Sequence, residues 1–227
     1  MPLQRLTPPA KPAVTAAYVK AHTRIDTGAD DDYISNLLIP AAVDLAEIYL
    51  RRSLVLQEWA LTLDAFPGPS LMGVPYGVPW SLPGHAIILE KPPIQSITSM
   101  TYIALDGTTG TVLPWVPGTG LPTGGTFNFV DLTYGGTVRV DDLLRITPPF
   151  GQIWPINLPQ IGSVVVEYEA GYGLDDTSVP TPIKQWIAMN VATIYENRER
   201  CVVGTRVTVS ELPYVDHLMD GYVIELN

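Results

Sequence analysis

The periodicity of apolar residues changes twice along this chain, and these changes constrain the fold more than any other feature. Residues 13–52 and 180–200 repeat their apolar positions with the period of a helix. Between them the pattern alternates like a strand, and 16 of the 19 glycines and 14 of the 22 prolines lie between positions 64 and 173. The sequence therefore predicts an α+β protein, in which a small antiparallel helical bundle carries a large inserted β-sandwich or barrel-like domain.

The predicted boundaries follow these changes of period. Four prolines within the first twelve residues predict that residues 1–13 form an extended arm and not a folded element. Residues 14–54 and 180–220 are the predicted helical core, and residues 55–179 are the predicted β-rich insert. Residues 221–227 are expected to form a C-terminal tail.

The longer N-terminal helix has charges at both ends and a proline in its middle. Asp30–Asp32 precede it, and Arg51 and Arg52 close it, which suits the dipole of a helix. Pro40 cannot donate a backbone hydrogen bond, so we expect a kink there. Helical spacing predicts one apolar stripe, made of Ile34, Leu37, Leu38, Ala41, Leu45, Ile48 and Tyr49.

Three further patterns complete the frame. One face of a predicted strand carries Val55, Gln57, Trp59, Leu61 and Leu63. Asp106-Gly107 predicts a hairpin turn, and Gly135-Gly136 predicts another. Thr15 can cap a short helix from Ala16 to His22. Thr181 and Pro182 predict the start of a strong second helix, because proline is favoured at the first helical position.

The composition argues against a protein that grips nucleic acid. The net charge is −10, whereas affinity for DNA comes mainly from Lys and Arg on phosphates. Charged residues make up only 16%, against about 25% in ordinary soluble domains, which suits a protein that hides surface in an assembly. No apolar run approaches the ~18 residues that span a bilayer, and no apolar signal core begins the chain. We therefore expect a protein that is made and kept in a reducing cytoplasm until it joins a larger assembly, with no membrane contact.

Candidate ligand-binding motifs all have a simpler structural interpretation. Asp30–Asp32 lack the spacing and glycine of a calcium loop, so we favour helix-start electrostatics. His22, His85 and His217 are scattered, and none has a second histidine at metal-binding spacing. Gly171 and Gly173 are too few for a phosphate cradle and fit a strand-ending turn. The sequence therefore predicts no metal and no cofactor.

Candidate catalytic residues are equally weak. Asp141-Asp142 and Asp175-Asp176 are carboxylate pairs, but each is adjacent in sequence and next to a turn, which favours solvated loops. Cys201 is the only cysteine and has no activating neighbour in sequence. Five aromatic residues of the predicted insert could line a sugar-binding face: Trp80, Trp115, Phe127, Phe129 and Trp154. We favour the other interpretation, in which they form the core of the β domain or an oligomer interface. We expect no enzyme.

Two segments together resemble a known family. The first is residues 14–67, where a short helix precedes Arg24-Ile25-Asp26 and an acidic helix start leads to Tyr49, followed by Gln57 and Trp59 in a strand. The second is residues 166–199, with AGYG at 170–173, prolines at 180 and 182, and YENRE at 195–199. In this order they resemble the head–tail connector, or adaptor, proteins of tailed bacteriophages and gene transfer agents.

The resemblance implies a structural virion protein of the neck. Such a protein would form a ring of twelve subunits under the portal protein, extend the DNA channel, and offer a platform to the next neck or tail-completion protein. DNA would pass without sequence-specific binding, helped by an acidic lining. In similar connectors the C-terminal segment reaches the portal. The corresponding anchors, on a free tail, would be Leu212, Tyr214, Leu218, Tyr222, Val223 and Ile224.

Two other hypotheses stay open at this point. The β-rich insert would be a carbohydrate- or receptor-binding module if its aromatic residues were exposed beside polar partners. The chain would be a hydrolase if Asp141 and Asp142 formed a working acidic pair. Neither hypothesis has a distinguishing motif, so the connector interpretation carries most weight.

Overall fold

The computed structural model describes residues 3–67, 87–112, 128–130, 145–147, 154–158, 160–197 and 214–224. The chain divides into two compact units. The helical unit comprises residues 9–55 and 172–224, and the β unit comprises residues 1–8, 56–171 and 225–227. The fold thus combines helices with antiparallel sheet, as the periodicity predicts.

The described part of the helical unit contains three main helices and a short C-terminal turn of helix. They are α1 (Ala16–Thr23), α2 (Asp31–Leu50), α3 (Thr181–Glu196) and α4 (Tyr214–His217), followed by a 3₁₀ turn at Asp220–Tyr222. The Thr15 hydroxyl accepts a hydrogen bond from the Tyr18 backbone N–H at 3.3 Å, which caps α1. Pro182 lies in the first turn of α3, so both predicted helix starts are confirmed.

The irregularity expected at Pro40 takes the form of a π-helical segment. Ile34–Leu38 is π-helical, and the Ile39 backbone N–H donates to the Ile34 carbonyl, five residues back. Pro40 follows in the first turn of the regular α-helical part, Ile39–Leu50. Proline has no backbone N–H and cannot donate the usual α-helical hydrogen bond, and a wider turn just before it accommodates the missing bond.

The core of the helical unit is formed by residues that the sequence pattern only partly identifies. Ile34 and Leu38 of the predicted stripe are buried, but the other buried apolar positions of α2 are Ile39, Ala42, Ala46 and Leu50. The predicted stripe is wrong for five positions, which are exposed instead: Leu37, Ala41, Leu45, Ile48 and Tyr49. The π turn shifts the register, and α2 is apolar on both faces, so periodicity alone could not choose between them.

The β unit contains a five-stranded antiparallel sheet in the order β1-β2-β8-β4-β5. Its strands are β1 (Leu3–Thr7), β2 (Gln57–Leu63), β4 (Ile94–Ile103), β5 (Thr109–Val112) and β8 (Val164–Ala170). A three-stranded sheet in the order β3-β7-β6 contains β3 (Ile87–Ile88), β6 (Asn128–Val130) and β7 (Arg145–Thr147). The predicted face of β2 is confirmed, because Gln57, Trp59, Leu61 and Leu63 are buried.

The N-terminal segment is part of this sheet. We expected residues 1–13 to be an arm outside the fold, but Leu3–Thr7 pairs antiparallel with β2, with Leu3 opposite Leu61 and Arg5 opposite Trp59. The Arg5 guanidinium also donates to the Gln57 side-chain oxygen at 3.3 Å. The edge of β2 supplies backbone partners that no local pattern in residues 1–13 reveals.

The β4–β5 hairpin turns where the sequence predicts. The Gly107 N–H donates to the Ala104 carbonyl and the Ala104 N–H to the Thr108 carbonyl, at 2.9 and 2.8 Å. Gly107 has φ +81°, a conformation that glycine adopts without strain. The second predicted turn, Gly135-Gly136, lies outside the described residues.

One apolar core unites the two sheets of the β unit. Ile87 of β3 and Ile146 of β7 belong to the same buried cluster as Leu61 of β2 and Val166 of β8. Along β8, Val164, Val166, Tyr168 and Ala170 are buried, while the residues between them are only partly covered. This alternation is typical of a sheet with one face on a core.

Candidate functional site

The acidic start of α2 serves structure. Lys20 Nζ lies 2.6 Å from the Asp31 carboxylate, and the Tyr195 hydroxyl donates to the Asp30 carboxylate at 2.6 Å. Asp31 and Asp32 lie in the first turn, where negative charge suits the helix dipole. Within the described ranges, no group of three or more His, Cys, Asp and Glu residues could hold a metal ion. The arrangement fits the electrostatic interpretation of Asp30–Asp32.

Asp175 is a turn residue, which fits the loop interpretation of the Asp175-Asp176 pair. Its carboxylate accepts bonds from the Thr177 hydroxyl and backbone N–H, at 2.6 and 3.2 Å, and lies 3.4 Å from Lys11 Nζ. The Thr177 hydroxyl, with a smaller contribution from Lys11, lowers the pKa of Asp175 below its ordinary value. A carboxyl with a lowered pKa stays ionised and is a poor proton donor at neutral pH. Asp141 and Asp142 lie outside the described residues.

The remaining single-residue candidates also have structural surroundings. His22 Nδ1 is 3.5 Å from the Gln185 amide, and His217 Nδ1 is 2.7 Å from the Asp220 carboxylate. Gly171 directly follows the last residue of β8, Ala170, and its N–H donates to the Pro93 backbone carbonyl at 2.8 Å, which fits a strand-ending turn. His85 and Cys201 lie outside the described residues.

Of the five aromatic residues considered for a sugar-binding face, the structure describes the side-chain surroundings of Trp154. Trp154 is buried, and its ring stacks on Phe66 with the centroids 4.8 Å apart and the ring planes at 8°. Trp154 is therefore β-domain core, as the favoured interpretation predicts. Trp80, Trp115 and Phe127 lie outside the described residues, and Phe129 is described only as a backbone position in β6.

The C-terminal segment is not a free tail. Met219 is completely buried and Ile224 is 8% exposed. Tyr222 and Val223 pack against the core of the helical unit. The Ile224 N–H donates to the Leu50 carbonyl at 3.3 Å, so the segment lies on the end of α2. The expectation of a free segment with exposed aromatics is wrong as far as residue 224.

Two buried charged residues hold this part of the helical unit together. The Arg52 Nε–H donates to the Tyr222 carbonyl, and Arg52 is 2% exposed. The Glu47 carboxylate accepts from the Leu54 N–H at 2.9 Å and is 5% exposed. Arg52 therefore does more than close a helix dipole: it fixes the position of the C-terminal segment. The signal in the sequence was the charge of Glu47 inside an apolar helix, since charged groups are buried mainly where they have partners.

Of the six predicted portal anchors, the structure describes five to different extents. Leu218 is half-buried, Tyr222 and Val223 are half-buried, and Ile224 is buried. Tyr214 begins α4, and Leu212 lies outside the described residues. Their role at a portal stays a prediction.

Four large apolar side chains are exposed on α2, in the described part of the helical unit. Leu37, Leu45, Ile48 and Tyr49 are exposed there, which sequence reasoning missed. Helix Asp31–Leu50 is, by length and mean hydropathy alone, long and apolar enough to cross a membrane, which the sequence did not lead us to expect. Its buried face, however, is core of the helical unit, a setting in which a core helix passes the same test.

The outer face of the five-stranded sheet carries a row of carboxylates. Glu58 lies opposite Glu169 across the β2–β8 pair, and Glu167 lies two residues along β8. Their partners are hydroxyl groups: Ser96 donates to Glu169 at 2.6 Å, and Ser99 donates to Glu167 at 2.8 Å. This face of the β unit is therefore acidic, which disfavours phosphate binding there.

No family model and no curated protein matches the chain. Three solved structures have a similar fold over 100% of this chain and 98% of theirs. The first is a chain in the neck of an empty gene transfer agent particle computed with C6 symmetry, with a TM-score of 0.69 and 20% identity. The second is a chain in the virion of a native gene transfer agent particle, with a TM-score of 0.68 and 18% identity. The third is a chain in the neck of the native particle computed with C12 symmetry, with a TM-score of 0.61 and 18% identity. The chain has the fold of a gene transfer agent neck protein, which confirms the predicted resemblance at the level of the fold.

Proposed function

We propose that this chain is a structural subunit of a virion neck. It forms a ring under the portal protein, extends the DNA channel, and links the head to the next neck or tail-completion protein. The observation that carries this proposal is the similarity of fold over the whole chain to proteins in gene transfer agent necks. A match that includes both units is more specific than a match to one common domain.

The symmetry of the similar structures supports a ring. They were computed with six-fold and twelve-fold symmetry, and a closed ring uses the same surface on every copy. Twelve copies are the number we propose for this chain. Each copy would contribute a helical unit and a sandwich-like β unit, in which the two sheets share one core.

The C-terminal segment is our proposed portal contact. It is held on α2 through Arg52 and Ile224, so the side of it that faces away from the core is available for a partner. Leu218, Tyr222 and Val223 are only half-buried and could each lose further exposed surface on docking. Leu212, Tyr214 and Ile224 belong to the same proposed anchor set.

Passage of DNA fits the charge of the chain. A net charge of −10 gives twelve copies a strongly negative ring, which repels phosphates and prevents DNA from adhering to the channel wall. The alternative function, a carbohydrate-binding module, has less support because Trp154 is buried in a stack with Phe66.

Deletion of the encoding gene in the producing host tests the proposal. We expect DNA-filled heads without attached tails, and restoration of tails when the gene is supplied in trans. Quantitative mass spectrometry of purified particles should find this chain in equal number to the portal protein. Normally tailed particles after the deletion would contradict the proposed function.

A further inference from the structure

We propose that the exposed apolar face of α2 is the surface through which one copy of this chain contacts the next copy in the ring. The inference rests on the proposed function for the existence of a ring. It adds the identity of the surface that holds neighbouring copies together.

The face is continuous and lies opposite the core. At about 100° per residue, positions 41, 44, 45 and 48 fall within one third of the helix circumference. Ala42, Ala46 and Leu50, which are buried, lie on the other side. Ile48 is 69% exposed, Leu37 57% and Leu45 50%. Asp44 is the one charged residue within this arc.

The face also continues toward α3. Tyr49 is 46% exposed, and its ring stacks on Trp186 of α3, with centroids 6.4 Å apart and planes at 11°. A stacked aromatic pair beside an aliphatic row is a rigid surface that loses little conformational entropy when it is covered. Aromatic residues are enriched at protein interfaces for this reason.

A surface of this kind requires a protein partner. The largest apolar patches on ordinary monomers measure roughly 300–600 Å² and are often functional. This face presents four large apolar side chains that are each between 46% and 69% exposed. A bilayer does not fit as the partner, because α2 would have to leave the core of the helical unit in order to span it. Nucleic acid does not fit either, because the arc is apolar and its one charge is the carboxylate of Asp44.

The partner that the observations favour is a second copy. The similar chains occur in necks with six-fold and twelve-fold symmetry, so each copy in such a ring has the same chain on both sides. A ring contact is heterologous, which means that two unlike surfaces meet. The described residues offer a second exposed apolar set in the β unit, at Leu105, Ile156 and Ile161. The chain thus has two unlike apolar surfaces of the kind that such a contact uses.

Site-specific photo-crosslinking tests this directly. The photo-reactive residue p-benzoylphenylalanine replaces Ile48 in the full chain, which is irradiated both alone at high concentration and after mixing with its own portal protein. We expect a ladder of covalent multimers of this chain, at least tenfold stronger than from the same residue at Ala21, an exposed position on α1. Peptide mass spectrometry then identifies the acceptor segment in the neighbouring copy.

The other outcomes overturn the inference. Crosslinks from position 48 only to the portal or another neck protein, or only within one chain, assign the face to a different occupant. If rings form under the portal and no self-ladder appears, this inference fails while the proposed function survives. If no portal complex forms, the irradiated chain alone still decides: a ladder supports the contact between copies, and a single monomer band refutes it.

A charge substitution gives an independent measurement. Ile48→Glu places a second carboxylate near Asp44 on a surface that is exposed in the single copy, so the melting temperature should stay within experimental error. We expect at least a tenfold loss of ring yield on the portal, while the matched control Ile48→Val retains it. Equal ring yields for Ile48→Glu and the wild type would refute the proposed contact.

Discussion

Removing the side chain of Met219 tests whether the C-terminal segment is docked in solution. Met219 has no exposed surface and belongs to the core cluster of the helical unit, together with Leu50 and Val191. Replacing a buried methionine by alanine costs about 2–5 kcal/mol, because the lost transfer free energy is added to the cost of the cavity. For a chain of this size each kcal/mol lowers the melting temperature by about 2–4 °C. We therefore expect Met219→Ala to melt roughly 5–15 °C below the wild type.

The assay is thermal and urea unfolding of the full chain, with His217→Ala as the matched control. His217 is two residues away, and its side chain is 72% exposed in a pair with Asp220. Such exposed pairs contribute about 0–1 kcal/mol, so the control should melt within a few degrees of the wild type. Equal stability of the two variants would refute the docked segment and restore the free tail that the sequence suggested.

Three further predictions concern single residues. The pKa of Asp175 is lowered in the folded protein, so its ionised form stabilises the fold above the unfolded pKa of about 3.9. This stabilisation is lost as the pH falls through the lower folded pKa. In urea titrations, Asp175→Asn should therefore lose less stability than the wild type between about pH 6 and 3. Burial raises the pKa of Tyr168, so its stabilisation is present below about pH 10 and lost above it. Tyr168→Phe should cost about 1 kcal/mol at neutral pH, because the hydroxyl donates to the Glu90 carbonyl at 2.8 Å, and should reduce alkaline unfolding followed by absorbance. Gly107→Ala should cost about 1–2 kcal/mol, because φ is +81°, and Gly107→Asn should cost less; equal urea midpoints would contradict the hairpin assignment.

Local signals in the sequence predicted several elements correctly. Thr15 and Pro182 mark helix starts because capping and proline preferences act over one turn. The alternation along β2 and the glycine at 107 act over equally short distances. These features required no knowledge of the rest of the fold.

What depends on distant partners was not predictable in the same way. β1 forms because its backbone pairs with β2, more than fifty residues away. The C-terminal segment docks because Arg52 reaches the Tyr222 carbonyl, 170 residues along the chain. The exposed side of α2 depends on a π turn that shifts the helical register before Pro40. The sequence pattern of an apolar helix face predicts burial, but it is the same whether the face is covered by its own chain or by a neighbouring copy.

Cryo-electron microscopy of this protein mixed with its own portal protein tests the central claim most directly. The account predicts a stacked ring beneath the portal, with one copy per portal subunit, the C-terminal segment toward the portal and the α2 face covered by the adjacent copy. A protein that never associates with the portal, and remains a single copy at high concentration, would contradict the neck-ring function.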